Sequence, residues 1–299
     1  MLLDAASLYF RAFFGVPESI AAPDGTPVNA VRGLLDFIAR LVTVRKPDRL
    51  VACMDEDWRP AFRVAAVPSY KAHRLLNAAR NIEDIPPALV AQVPVILDVL
   101  DALGLACVGA PGFEADDVIG TLVARDPGPV DVVTGDRDLF QVVDDSRQVR
   151  VLYTARGVGR HEVVDESVVT AKYGIPGRSY AAFATLRGDP SDGLPGVPGV
   201  GDKTAATLVS RFGDIDGLMT AVDDPRSELA PTLRRKLADA REYLTVAPLA
   251  VAVRTDAPVP EVDSTLPNEP HDPEALVDLA ERWNLDPSLN RVLNALARR

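Results

Sequence analysis

An α/β fold, a mostly parallel twisted sheet flanked by helices with a helical unit behind it, is predicted by three features of this 299-residue chain. Short β-branched runs alternate with helix-period segments up to about residue 164, the order expected of βαβ units. Strand-like runs then stop, and amphipathic segments follow one another to about residue 250. Acidic residues directly follow several of the early runs, at the positions where open parallel sheets build their sites. A chain with 47% apolar and 25% charged residues is globular in composition, and its length suits two linked units. The predicted division is an α/β core over 1–163 with a basic excursion at about 58–86, a helical unit over 164–250, and an acidic loop and helix over 251–299 that pack back on the core.

Taken in order, Leu2-Leu3 before Asp4 reads as the end of a first strand, cut short at the recorded start. Val31, Leu34, Leu35, Ile38, Leu41 and Val42 fall at helical spacing and predict a helix over Ala30–Val44. Arg49–Met54 is a buried strand ending at Asp55. Pro60–Arg80 lacks a sustained apolar face and is expected to be a mobile basic excursion. Pro87–Leu103 is helical, stopped by Gly104; Leu105–Val108 is a strand; a helix runs from about Glu114 to Ala124. Val130–Thr134 and Gln148–Tyr153 are strands, the former ending at Gly135-Asp136. Helices are then expected at Glu166–Tyr173, Tyr180–Leu186, Lys203–Phe212, Ile215–Val222 and Ser227–Leu244. A Pro-rich acidic loop over Pro258–Pro273 leads to a last helix from Pro273 to about Asn284.

The N-terminus carries no export signal and no apolar run reaches about 18 residues, so a cytoplasmic protein without a membrane span is expected. Cys53 and Cys107 read as separate buried thiols, and two Cys with three scattered His argue against structural zinc. Any metal would have to be held by oxygen. A net charge of −11 argues against nucleic acid until its distribution is considered. Arg59, Arg63, Lys71, Arg74 and Arg80 fall in a stretch without one acid, and divalent cations would neutralise part of the acidic total.

Three constellations carry chemistry. The first is the acid set: Asp4, Asp55, Asp136 and Asp138 after strand ends, and Glu114-Ala115-Asp116-Asp117 opening a helix. Glu114 and Asp117 share a face, while Asp116 points roughly a hundred degrees away. Acids in a first helical turn also favour the helix dipole, and turns favour acids. Several acid groups at equivalent strand ends, however, repel one another unless a hard divalent cation such as Mg²⁺ lies between them, and a pair of such cations can clamp an in-line phosphoryl displacement.

The second is the turn from Leu194 to Ala205, with Gly196, Gly199 and Gly201 before Lys203 and Thr204. Its backbone N–H groups would form an anion site at a helix start. A nucleotide P-loop would need Lys directly after the last Gly, where Asp202 stands, and a dinucleotide fingerprint would need a third Gly at Thr204. A helix-hairpin-helix turn gripping a backbone phosphate fits, with a purely structural loop as the alternative. Asp189 and Asp192, just upstream, add acids able to reach the sheet. The third constellation is Tyr70-Lys71-Ala72-His73-Arg74, an aromatic beside cations suited to an exposed base and its phosphates, or else a solvated charged segment. Phe10-Arg11 would do similar work at the floor of the site.

Together, Leu3-Asp4, the Tyr70–Arg74 run, Gly112-Phe113-Glu114-Ala115-Asp116-Asp117, Thr134-Gly135-Asp136-Arg137-Asp138-Leu139-Phe140-Gln141 and the segment Gly188–Ala205 resemble the bacterial flap endonuclease and 5′→3′ exonuclease family, in order along the chain to about residue 250. It is similar to the 5′-nuclease domain of DNA polymerase I, here free-standing. The resemblance implies a PIN-like, flap-nuclease-like fold with a helical arch and a helix-three-turn-helix unit. It implies Asp4, Glu114, Asp116, Asp117 and Asp136 around one Mg²⁺ or Mn²⁺, and Asp138, Asp189 and Asp192 around a second. Lys71 and Arg74 would handle the scissile phosphate, with Asp136 central to catalysis and Tyr70 and Arg11 on the DNA. Gly196, Gly199, Gly201, Lys203 and Thr204 would hold duplex phosphate, and the carbonyls of Val197 and Val200 a K⁺ ion. Gly193 stands where the family has Asn.

The resulting expectation is a nuclease, a monomer associated with the nucleoid, acting on DNA with 5′ ends, flaps or gaps. Water activated by the cations would attack phosphorus, and the 5′ nucleotide would leave the duplex to reach them. Two other readings are weaker. A nucleotide-sugar glycosyltransferase could use Asp136-Arg137-Asp138, but the glycine turn and basic segment would go unexplained. A catalytically silent DNA-binding module would not need the full set of carboxylates.

Overall fold

Six strands form the main sheet, running from one edge to the other as β5 (Ala106–Val108), β2 (Val51–Cys53), β1 (Leu2–Asp4), β6 (Val130–Thr134), β7 (Val149–Tyr153) and β8 (Glu162–Val164). The computed structural model describes residues 1–298, apart from the side chain of Ala78. Every neighbouring pair is parallel except β7 with β8. Leu2 lies opposite Val51 on one side and Val132 on the other, which puts Asp4 at the carboxyl edge of the central strand. The five expected strands are present. The edge strand β8 was not foreseen: Glu162 and Val163 are exposed and only Val164 is buried, so it is too short to stand out as an apolar run.

Alternation along the strands splits the interior into two cores. Val51, Cys53, Val132 and Val151 face one; Ala52, Val133 and Leu152 face the other. The second core is closed by α1 (Ala5–Gly15), α2 (Asn29–Arg45), α5 (Val93–Leu103) and two C-terminal helices, α14 (Pro273–Trp283) and α15 (Asp286–Ala297). The first core takes α6 (Ala115–Arg125) and runs on into the helical unit. That unit comprises α7 (Glu166–Tyr173), α8 (Tyr180–Arg187), α9 (Asp202–Phe212), α10 (Ile215–Asp223), α11 (Pro231–Asp239), α12 (Arg241–Val246) and the short α13 (Pro248–Val251). One apolar body therefore joins sheet and helical unit.

Three helix expectations needed correction. The predicted helix Pro87–Leu103 is broken into α4 (Pro87–Val90) and α5, with Gln92 between them. Gln92 is 1% exposed; its Oε1 accepts the Ala30 and Val31 N–H groups, and its amide donates to Asn29 Oδ1, so it caps α2 from another element. Ser227–Leu244 begins only at Pro231 and breaks at Ala240. The helix ending near Asn284 is followed by α15, whose Pro287 opens a helix instead of blocking one. Helix α1, also unforeseen, begins where the Asp4 carboxylate accepts the Ser7 N–H at 3.0 Å.

The basic excursion is anchored, contrary to expectation. It holds α3 (Ala61–Ala66) and a small antiparallel hairpin of β3 (Leu75–Asn77) and β4 (Ile82–Glu83). Val67 and Tyr70 are buried, and so is Arg63, at 2% exposure. An apolar-residue count could not reveal this, since the deepest anchor is a cation.

Candidate active site

A cleft of about 780 Å³ opens over the carboxyl edge of β1, β2 and β6. Its floor and walls include Asp4, Asp55, Glu114, Asp116, Asp136 and Asp189, with Lys71 and Arg74 on the side of the basic segment. Strand ends bring the first acids together. Thr134, the last residue of β6, donates its hydroxyl to Asp4 Oδ2 at 2.6 Å and accepts the Asp136 N–H at 2.9 Å. Ser7 Oγ receives the Gly135 N–H, so the loop after β6 is clipped to the start of α1. Asp55, after β2, accepts the Ala115 N–H at 2.7 Å and so fixes the start of α6.

The acids form two groups that share Asp136. Burial pushes the Asp4 carboxyl up to about 7, with Thr134 opposing and Asp55 and Asp136 adding to the rise. Burial also lifts Asp116 well above the carboxylate range, helped by Asp136 and Asp4. In the second group Asp138 is raised by burial, then by Asp136, Asp192 and Asp189. Asp192 rises to about 6 through burial, despite Lys71 and Arg74. Such mutual destabilisation of charge suits a cation, which reverses its sign. Among the described residues no three His, Cys, Asp or Glu side chains close on one point as a ready-made cage. An open arrangement is what Mg²⁺ uses when it keeps waters and takes a few carboxylates together with substrate phosphate.

Asp189 and Asp192 reach the sheet because the loop carrying them is folded on itself and onto the basic segment. Asp189 and Leu194 exchange backbone hydrogen bonds at 2.8 and 3.0 Å, and Ser191 donates to Asp189 Oδ1 from its N–H and its hydroxyl. Lys71 N–H donates to Asp192 O at 2.9 Å, Ser69 Oγ to Gly193 O at 2.7 Å, and Arg74 Nη2 to Ser191 O at 2.8 Å and Asp192 Oδ1 at 3.1 Å. Gly193 has φ +71°, and a Cβ there would lie 2.1 Å from Ser69 O. The departure from Asn at this position is thus matched to a close backbone approach.

Several sequence-derived assignments change. Asp117 is removed from the cation set: it is fully buried, both its oxygens meet the Arg63 guanidinium at 2.7 and 2.8 Å, and it also accepts the Arg254 N–H. Tyr70 is 3% exposed and donates its hydroxyl to Glu114 Oε2 at 2.8 Å, so its ring is not open for a base to stack on. Glu114 keeps one oxygen toward the cleft, where it pairs with Lys71 Nζ. Gly196 N–H is directed to the Tyr243 hydroxyl at 3.3 Å, which takes it from the phosphate-gripping set; its φ of +65° serves close packing on Arg187 and Gly188. Gly199, Gly201 and Lys203 are exposed and Thr204 partly so. Gly201 caps α9 with no side chain covering the helix start. Val197 and Val200 are buried, and Val197 O already accepts the Val200 N–H. Arg11 lies beside Gly135 and donates weakly to Ala155 O. Asp55 stood among the strand-end acids of the sequence but not in the cation set that the resemblance implied; Thr134 and Arg63 were noted without these roles, and Ser7, which carries no motif, was missed.

The sequence family described as "5′-3′ exonuclease, N-terminal resolvase-like domain" matches residues 1–174, and the one described as "5′-3′ exonuclease, C-terminal SAM fold" matches 175–274. The chain is 60% identical over 299 residues to a 5′-3′ exonuclease of Streptomyces coelicolor, covering 99% of each. It is 51% identical to a 5′-3′ exonuclease of Mycobacterium tuberculosis, covering 99% of this chain and 97% of that one. Among solved structures, a bacteriophage T5 flap endonuclease in a pseudo-enzyme-product complex with DNA and metal ions superposes with a TM-score of 0.64 over 100% of this chain and 99% of the other. At 16% identity that likeness concerns the fold. No helix among the described residues is long and apolar enough to cross a membrane.

Proposed function

Because this chain belongs to the 5′-3′ exonuclease family, we propose that it is a structure-specific 5′ nuclease that hydrolyses DNA phosphodiesters at 5′ ends, flaps or gaps. The observation that supports this most is that two acid groups share Asp136, which lines one cleft with Asp4, Asp55, Asp116 and Asp189 beside the cations Lys71 and Arg74. Asp4, Asp55, Asp116 and Asp136, with one oxygen of Glu114, would hold one Mg²⁺ or Mn²⁺; Asp138, Asp189 and Asp192 would hold another. Those ions would supply an activated water and stabilise the leaving oxygen.

The remaining work falls to the protein. Lys71 and Arg74 exchange their carboxylate partners for the scissile phosphate and offset its growing charge. The acids lie at the bottom of the cleft, so the reacting nucleotide must unpair, which costs a few kcal/mol and least at frayed ends or flaps. That difference gives preference for ends and junctions. The exposed start of α9, with Lys203 and Thr204, holds duplex phosphate without sensing bases, and the Val197–Val200 turn is the proposed K⁺ position. The test is a 5′-labelled flap DNA incubated with Mg²⁺, with Mn²⁺ and with EDTA. Cleavage near the junction that requires the cation is expected; cleavage unaffected by EDTA, or none with either ion, refutes the proposal.

A further inference from the structure

Arg63 has no part in the chemistry described above, yet it is as buried as the core. Its guanidinium bonds to three residues. Nε donates to Ala250 O at 3.0 Å; Nη1 donates to Asp117 Oδ2 at 2.8 Å and to Glu114 Oε2; Nη2 donates to Asp117 Oδ1 at 2.7 Å. Asp117 further accepts the N–H of Arg254 at 2.9 Å and of Glu114 at 3.3 Å. Glu114 Oε2 is completed by the Tyr70 hydroxyl.

We infer that Arg63 is a positioning residue, an internal counter-ion that sets the rotation of the first turn of α6 so that Asp116 alone of the two adjacent aspartates is presented to cations. Three carboxylates within four residues cannot stay charged in a dry place without compensation. A planar, permanently charged fork can satisfy two of them at once, which an ammonium cannot. Asp117 is thereby turned inward and Glu114 is pinned by one oxygen. Asp116, about a hundred degrees round the helix from Asp117, faces the cleft. The bonds to Ala250 O and from Arg254 N–H tie the chain leaving the helical unit to the same turn, so one network sets both the acid geometry and the seat of the DNA-gripping unit. This inference rests on the reading of Asp116 and its neighbours as a cation site.

The experiment titrates DNA-free protein with Mn²⁺, following free Mn²⁺ by EPR, with melting followed by circular dichroism. Wild type must bind Mn²⁺; if it does not, the cation reading itself fails. Arg63→Lys keeps the charge without the fork, and Arg63→Met combined with Asp117→Asn removes the pair in neutral form. Each folded variant should lose roughly 10- to 100-fold in Mn²⁺ affinity, as is usual when an outer partner of a metal ligand is removed. Flap cleavage should fall in parallel and recover partly at high Mn²⁺. Asp117→Asn, which keeps one of the two acceptors that meet the fork, should lose less Mn²⁺ affinity than Arg63→Lys, whereas Asp116→Asn should lose it altogether. A folded Arg63 variant with wild-type Mn²⁺ affinity, even one of lower melting temperature, would overturn the inference, as would equal Mn²⁺ loss in the two aspartate variants.

Discussion

Asp4 shows how one carboxylate serves structure and site together. It caps α1 through Ser7, accepts the Thr134 hydroxyl, and still faces the cleft. Its raised pKa of about 7, and that of Asp192 at about 6, have a consequence for stability. Near pH 4 these groups are protonated in the folded chain, while the unfolded chain is already losing protons. The cation-free protein therefore loses stability as pH rises from about 4 to about 7, and the full penalty is present above that. Cations bind the deprotonated forms, so the rise in melting temperature caused by Mn²⁺ should be larger at pH 8 than at pH 5.5. Equal shifts at the two pH values would count against these acids as the cation site. At the same scale, Asp136→Asn removes the acid common to both groups without touching the phosphate-gripping surface. Cleavage should be lost and DNA affinity largely kept; normal turnover at saturating Mg²⁺ would contradict the shared role.

Among the elements, the proposed work of holding DNA is divided between the basic segment and α9. The segment is fixed at its base by Arg63, Val67 and Tyr70, while Leu76 is 67% exposed on the hairpin that follows. Amides of Val64, Val67 and Lys71, which are hydrogen-bonded, should exchange slowly without DNA, and those of residues 75–83 quickly. Uniformly fast exchange from 60 to 83 would mean that the buried anchor does not hold in solution. Lys203 lies at the exposed start of α9, in a groove with Lys172 and Arg211. Lys203→Ala should weaken DNA binding about equally for unrelated flap sequences and lower the salt slope by about one unit. Binding measured for two sequences at several salt concentrations decides this; an unaltered slope means that α9 does not grip the backbone.

At the scale of the molecule, the C-terminal helices complete the second core beneath the acid-bearing sheet. Helix α15 lies on α2, with Leu289 and Val292 buried between them and Arg291 paired with Asp36 at 2.8 Å. Leu289→Ala should cost about 2–5 kcal/mol in urea unfolding, the range for a buried leucine. Flap cleavage should persist at low temperature, since no cleft residue comes from this helix. A loss below about 1 kcal/mol, the scale of an ordinary surface change, would show that α15 is not part of the cooperative core.

The parallel sheet, the succession of helices, the strand-end acids and the glycine turn were legible because each is written in neighbouring residues. The Val-rich run Val130–Thr134, helical spacing in Ala30–Val44 and the run Gly196–Lys203 need no partner to be read. What the sequence could not disclose was the use to which each group is put, since that depends on residues far away along the chain. Asp116 and Asp117 are adjacent and chemically alike, yet Asp117 is consumed by Arg63, 54 residues earlier, and by the Arg254 N–H, 137 residues later. The same holds for Tyr70, turned inward by Glu114, for Gly193, which makes room for Ser69, and for Gln92, which caps α2 from another element. Burying a charge or a polar group is tolerable only when a partner arrives to satisfy it, and tertiary packing alone decides which partner arrives.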